Sequence, residues 1–286
     1  MPVSLKAGFA LLLVILLTAC DKPAPVEGQV TGTVVYHRDL KGEGLRDRDL
    51  IVWLPPGYDI DSEQRYPVLY MHDGQNVFDP ATSYAGVDWA VDETVDSLIR
   101  AGTIEPRIVV GIYNTQDRTA EYSPGDMGNA YMTFIVDVVK PLIDTTYRTR
   151  PEREHTLTGG ASSGGTISFM LGWDYPQIFG GAICMSTAFK VGPGVDFDEF
   201  DFIPYFESTR DIKRDVFFYL YNGGVELDAI LQPGNEEMLA RLEEWGYQEG
   251  KDWVFKQDAE AKHFESAWAK DFPGALIRTL QGVASR

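Results

Sequence analysis

The run Gly160-Ala161-Ser162-Ser163-Gly164 fits G-x-S-x-G, the pattern of a serine carried on a sharp strand-to-helix turn. The residues before it, His155-Thr156-Leu157-Thr158, read as a strand, and a helix-compatible stretch opens at Ser163. Gly159 and Gly165 extend the small-residue run, and glycines on either side of the serine tolerate the crowding of such a turn. The hydroxyl of Ser162 is then exposed at the strand's carboxyl end, and the backbone N–H of Ser163 points to where an oxyanion would form. A glycine-rich turn of this kind can also bind phosphate or do nothing, but neither G-x-G-x-x-G nor a Walker lysine is present. A serine hydroxyl is a weak nucleophile at neutral pH and needs a base, most often histidine. Of His37, His72, His155 and His263, only His263 follows Ser162, as the order nucleophile, acid, histidine requires. An acid that orients the imidazole should stand between them, just after a strand. Glu226 and Asp228, beyond the run Val216–Tyr221, both qualify.

The elements that must position these groups alternate in type. Strands are expected at Val30–Tyr36, Leu50–Leu54, Val68–Met71, Ile108–Tyr113, His155–Thr158, Gly181–Met185, Val216–Tyr221 and Trp253–Lys256. Helices are expected at Asp88–Arg100, Ala130–Asp144, Ser163–Trp173, Glu236–Trp245 and Phe264–Leu280, with Asp88 as a cap and Gly102 just past the end of the first. Ile108-Val109-Val110-Gly111-Ile112 is almost wholly apolar, as a strand is when helices cover both faces of its sheet. Early hairpin-like strands followed by β-α alternation imply one α/β domain over residues 29–286, with a mainly parallel sheet.

The 286 residues carry 25 Lys+Arg against 43 Asp+Glu, a formal charge of −18. That balance argues against nucleic acid as a partner, since such binding rests on cations that neutralise phosphates. Phe9–Leu17 is an unbroken apolar stretch, too short to span a bilayer and suited to the core of a signal peptide. It runs into Leu17-Thr18-Ala19-Cys20, which resembles the lipoprotein box of bacteria. The expectation is a signal peptide over residues 1–19, lipidation of Cys20, and a stiff polar tether over residues 20–28 with Pro23 and Pro25. The protein would then be an exported bacterial lipoprotein, anchored at a membrane and facing the periplasm or the cell exterior. Cys184, in the apolar run Ala182-Ile183-Cys184-Met185, reads as a buried, inert core residue.

Longer blocks carry a family resemblance. Val52-Trp53-Leu54-Pro55-Pro56-Gly57-Tyr58 and Tyr66-Pro67-Val68-Leu69-Tyr70-Met71-His72-Asp73-Gly74-Gln75-Asn76-Val77-Phe78 resemble the Putative esterase family of α/β-hydrolases. So do Asp88-Trp89-Ala90-Val91-Asp92, Glu121-Tyr122-Ser123-Pro124 and His263-Phe264-Glu265-Ser266-Ala267-Trp268. That family includes enterobactin, salmochelin, feruloyl and acetylxylan esterases, esterase D and the mycolyltransferases. The resemblance implies an α/β-hydrolase fold, Ser162 as nucleophile and His263 as base. Through Gly223-Gly224-Val225-Glu226 it favours Glu226 as the acid, with Asp228 as the alternative. It assigns the second oxyanion N–H to the loop His72–Asn76, with Gln75 the chosen donor and Asn76 next, and leaves His72 and Asp73 to shape that loop.

The expected activity is hydrolysis of a small, sugar-linked or siderophore-linked carboxylic ester through an acyl-enzyme, with no metal or cofactor. Acyl transfer by the same residues, or a non-catalytic lipoprotein that binds a glycan or siderophore, are the alternatives. The aromatics of Phe197–Phe206 suit either a cap over the substrate or closure of the core.

Overall fold

Side chains alternate between opposite faces of a strand, so an apolar strand must be covered on both. Val110 and Ile112 pack into one core with Phe169, Trp173 and Leu242, while Val109 packs into another with Val91, Phe272 and Leu276. The computed structural model describes residues 30–60 and 63–286; the segment read as signal peptide, Cys20 and tether lies outside them.

The chain runs β1 (Thr33–Leu40), β2 (Arg48–Leu54), β3 (Val68–His72), α1 (Val91–Arg100), β4 (Ile108–Ile112), α2 (Arg118–Glu121), α3 (Asp126–Phe134), α4 (Lys140–Thr146) and β5 (Thr156–Ala161). It continues through α5 (Ser163–Asp174), β6 (Gly181–Met185), β7 (Lys190–Val191), β8 (Phe200–Asp201), α6 (Ile203–Glu207), β9 (Phe217–Gly223), α7 (Leu227–Glu244), β10 (Trp253–Asp258) and α8 (Glu265–Ala284). A π-helical stretch, Ile135–Val139, joins α3 to α4. The main sheet has eight strands in the order β1-β2-β4-β3-β5-β6-β9-β10. β1, β2 and β4 pair antiparallel, and every pairing from β4 to β10 is parallel. β7 and β8 form a small separate ribbon. The architecture is the expected α/β-hydrolase type. β3 lies between β4 and β5, so the chain leaves it toward one side and later returns on the other. At such a reversal the carboxyl ends of the strands leave a crevice, the usual ligand position in an open α/β sheet.

Several boundaries differ from the sequence reading. α1 begins at Val91, not Asp88: Ala90, at φ 50°, is the N-cap, and Asp88 accepts the N–H of Ala90 at 3.0 Å. α7 begins nine residues before the expected Glu236 and runs through Pro233. A proline inside a helix lacks its N–H, yet α7 continues past it, with the backbone of β7 close by: a Cβ on Gly234 would lie 2.4 Å from the Lys190 carbonyl oxygen. Of the Phe197–Phe206 aromatics, Phe206 is fully buried edge-on against Phe169, with ring centroids 5.0 Å apart, and Phe202 and Tyr205 pack against the same core. This end of the segment closes the core. Cys184 is a free, fully buried thiol whose ionisation is pushed well up by burial.

Two buried polar groups fix the loops at the carboxyl edge. Arg48 on β2 holds Glu121 on α2 through a fork of bonds, Nη1 to Oε2 at 2.9 Å and Nη2 to Oε1 at 2.6 Å, with both side chains at most 1% exposed. His72, at the end of β3, bonds through Nδ1 to the Tyr131 hydroxyl and through Nε2 to Thr158 Oγ1. Burial pushes His72 down to about 3, so the imidazole is neutral in the folded protein.

Removing one partner of a buried pair strands the other charge. Glu121→Ala is therefore expected to cost about 3–5 kcal/mol in urea unfolding, and the double change Glu121→Leu with Arg48→Met to recover most of it. In acid, an unfolded histidine protonates below about pH 6.5 while His72 resists until about 3. Between those values the unfolded state binds the extra proton, so stability falls as pH falls, at about 1.4 kcal/mol per pH unit from this group. Denaturant titrations across that window should show a shallower decline in His72→Gln.

Candidate active site

The turn after β5 bends at Ser162, whose backbone lies at φ 58°, ψ −129°, a conformation that L-residues rarely adopt. The flanking glycines make room for it. A Cβ on Gly160 would lie 2.6 Å from the Gly164 carbonyl oxygen, and one on Gly164 would lie 3.0 Å from Asp73 Oδ2. The Ser162 N–H bonds to the Met185 carbonyl at 2.9 Å, and its own carbonyl accepts from Gly165 and Thr166, the first turn of α5. The serine is thereby fixed where β5 ends and a helix N-terminus begins, with Ser163 as the first helical residue.

His263, in the loop between β10 and α8, directs Nδ1 at Asp228 Oδ1 at 2.7 Å. A carboxylate can only accept, so Nδ1 carries the proton and Nε2 is left as the basic nitrogen. Asp228 lies in the first turn of α7 and its side chain is fully buried. Its second oxygen accepts from the Gly223 N–H at 3.0 Å and from Ser186 Oγ at 3.1 Å. Trp268 closes the network: its indole N–H bonds to Ser186 Oγ at 2.9 Å, and its ring stands edge-on to His263. The carboxylate that meets the histidine is thus Asp228, not the first choice, Glu226. Glu226 caps α7 at φ 56° and points to solvent, paired with Lys262 at 2.6 Å, and both side chains are 62% exposed. Two residues further into the chain, the helix has turned the side chain inward to the end of β9.

The loop after β3 is held by a charge clamp. Asp73, itself at φ 58°, accepts a fork from Arg118, Nε to Oδ1 and Nη2 to Oδ2, both at 2.7 Å, and a further bond from Asn114 Nδ2. Arg118 Nη2 also reaches the Ala161 carbonyl beside Ser162 at 3.4 Å. Asn76 donates its N–H to the Asp73 carbonyl at 2.8 Å, so that donor is spent inside the loop. Gln75 accepts the Asn114 N–H through its side chain, which fixes its place beside Ser162 at the cavity wall. His72 and Asp73 do shape the loop, as expected.

Ser162, His263, Asp73, Gln75, Asn76 and Arg118 line one cavity of about 390 Å³. Its other walls are Tyr84, Trp89, Asn114, Ala161, Glu265 and Trp268. Trp89 and Trp268 pack together with ring centroids 5.4 Å apart. Glu265 is nearly buried, and burial pushes its carboxyl above the ordinary range. Ser186, Asn114, Arg118 and Tyr84 carry no signal in the sequence. They are single polar or aromatic residues, three in loops and Arg118 at the start of α2, and only the folded sheet edge brings them together. Trp89, Glu265 and Trp268 stood in recognisable blocks but without a role. His37 and His155 lie elsewhere: His37 on β1 bonds to the Tyr147 hydroxyl, and His155 sits at the opposite end of β5.

The family described as "Putative esterase" matches residues 45–279. The uncharacterized protein YjcH of Bacillus subtilis is 28% identical over 215 residues, which is 74% of this chain and 80% of that protein. Among solved structures, a ferulic acid esterase superposes with a TM-score of 0.67 at 20% identity, covering 87% of this chain and 98% of that one. The enterobactin esterase FES from Shigella flexneri superposes with a TM-score of 0.68 at 16% identity, covering 88% of this chain and 60% of that one. These superpositions speak for the fold, and the match over most of the length assigns the chain to the Putative esterase family of α/β-hydrolases.

Proposed function

We propose that this protein is a serine carboxylic ester hydrolase that works through an acyl-enzyme at Ser162. The observation that carries the reading is the 2.7 Å contact of His263 with the buried Asp228, on the wall of the cavity that Ser162 also lines. Ser162 Oγ attacks the ester carbonyl carbon while His263 Nε2 takes its proton. The N–H groups of Ser163 and Gln75 hold the oxyanion, aided by the amino-terminal end of α5. The C–O bond breaks, and the alcohol leaves with the proton returned by His263. Water, deprotonated by His263, then releases the acid and restores the serine. Asp228 keeps the imidazole in the working tautomer and stabilises its charged form.

For the substrate we infer a small, sugar-linked or siderophore-linked ester. The flat rings of Trp89, Trp268 and Tyr84 suit an aromatic acyl group or a sugar face, and the cavity volume is that of a small-molecule site. The named structural neighbours include a ferulic acid esterase and an enterobactin esterase. We further infer export as a lipoprotein, with Cys20 lipidated and the catalytic domain held near a membrane surface. The support is the apolar run followed by Leu17-Thr18-Ala19-Cys20.

Ser162→Ala should lower hydrolysis of short p-nitrophenyl esters by at least about 10³-fold and abolish labelling by a fluorophosphonate; retained turnover would refute the mechanism. Asp228→Asn should lower kcat by roughly 10³–10⁴-fold, whereas Glu226→Gln leaves it nearly unchanged; the reverse ranking would return the acid role to Glu226. Product analysis with and without sugar acceptors separates hydrolysis from acyl transfer. Cys20→Ser should move the protein from the membrane fraction to the soluble one on cell fractionation.

A further inference from the structure

At the end of the sheet opposite Ser162 lies a second cavity of about 750 Å³, between the amino-terminal ends of β4 and β5 and the last turns of α8. Arg107 lines it and is fully buried. Its side chain stands on the α8 face of the sheet, because Val109, two residues along the strand, packs there with Leu276 and Val283. None of its three guanidinium nitrogens has a hydrogen-bond partner among the described residues. An unpaired buried charge costs several kcal/mol, so such groups are normally matched. Burial lowers Arg107 only to about 10, which leaves it charged at neutral pH.

Most of the neighbouring charges pair with groups other than Arg107. Glu105 and Arg150, both close enough to act on Arg107, pair with each other. Arg153 and Arg286 share Asp215, and Arg286 also holds Asp252. Arg153 Nη2 is a further buried nitrogen without a partner, on the same cavity. The rest of the wall has an aliphatic side, Ile104, Ile277, Leu280 and Val283, and a polar one that includes Thr103, Glu154, His155 and Gln281.

We propose that this cavity binds an organic monoanion, a carboxylate on an apolar body, with the carboxylate on Arg107 and the body against Ile104, Ile277, Leu280 and Val283. One free guanidinium fork matches one carboxylate. Glu105 and Glu154 on the same wall disfavour a dianion such as phosphate. The Arg107 nitrogens lie just beneath the cavity surface. For the head group to reach them the Glu105–Arg150 pair, whose Glu105 side chain is 49% exposed, has to part.

The test is calorimetric titration of the full protein with octanoate, 1-octanol and inorganic phosphate. Saturable octanoate binding is expected, weakened more than about tenfold in Arg107→Met, with little binding of octanol or phosphate to the wild type. Equal octanoate affinity in Arg107→Met would place the ligand in another cavity and overturn the proposal. So would octanol or phosphate binding as tight as octanoate, or no octanoate binding at all. The octanol and phosphate arms need only the wild type, so they decide the matter even where Arg107→Met fails to fold. Ester hydrolysis by a folded Arg107→Met protein should be unchanged, since the two cavities lie at opposite ends of the strands.

Discussion

The constraint on which the site depends is the backbone of Ser162. A residue with a side chain at φ 58°, ψ −129° sits in a region that costs of order 1–3 kcal/mol, and it persists only where its surroundings leave no other choice. Here they leave none. The residue's N–H is tied to β6, its carbonyl to α5, and the glycines at 160 and 164 leave space that any side chain would fill. The same device recurs along this edge of the sheet: Asp73 after β3, Ser186 after β6 and Glu226 before α7 all have positive φ. Each follows a strand of the parallel set and turns the chain sharply at the carboxyl end. The strain is therefore concentrated on one rim, the rim that gathers the reactive groups.

Position along that rim is transmitted by charge. Arg48 on β2 holds Glu121; Glu121 ends α2, which begins at Arg118; Arg118 grips Asp73, which shapes the loop that carries Gln75. Buried ion pairs are weak sources of net stability, because desolvation offsets most of their attraction. Their forked geometry is directional, however, and a planar guanidinium on a planar carboxylate fixes distance and angle together. What this chain of pairs supplies is placement: it carries the register of the sheet edge to the loop that holds Gln75 on the wall of the cavity that Ser162 also lines. Asp228 does the same for His263, through four groups that meet on one carboxylate and its serine neighbour.

This division explains what could be read from the residues in order. Ser162 was legible because the turn demands small neighbours on both sides, which is a local and dense pattern. His263 was legible from its order in the chain. The strands were legible from apolar runs, because helices cover both faces of the sheet. The acid was not: Glu226 and Asp228 are two residues apart, and which one turns inward depends on where α7 starts. α7 runs unbroken through Pro233 and Gly234, where the backbone of β7 lies against it, a tertiary contact with no local trace. Arg118 and Ser186 were silent for the same reason, since the side-chain hydrogen bonds of each reach partners more than forty residues away.

The charge balance of the cavity then follows from packing. The chain is strongly acidic, and two acidic side chains, Asp73 and Glu265, line the cavity with Ser162. Two free carboxylates there would oppose an oxyanion forming on the substrate, most strongly in a site from which water is partly excluded. Both are answered by different means. Asp73 is matched by the Arg118 fork, so that pair presents little net charge to the cavity. Glu265 is shifted by burial toward its neutral form. Asp228 lies behind His263 and takes up the positive charge that the imidazole would acquire, rather than facing the substrate. On the proposed mechanism, an oxyanion at Ser162 would then meet backbone N–H dipoles that are fixed in place before any substrate arrives, which is what such a charge requires.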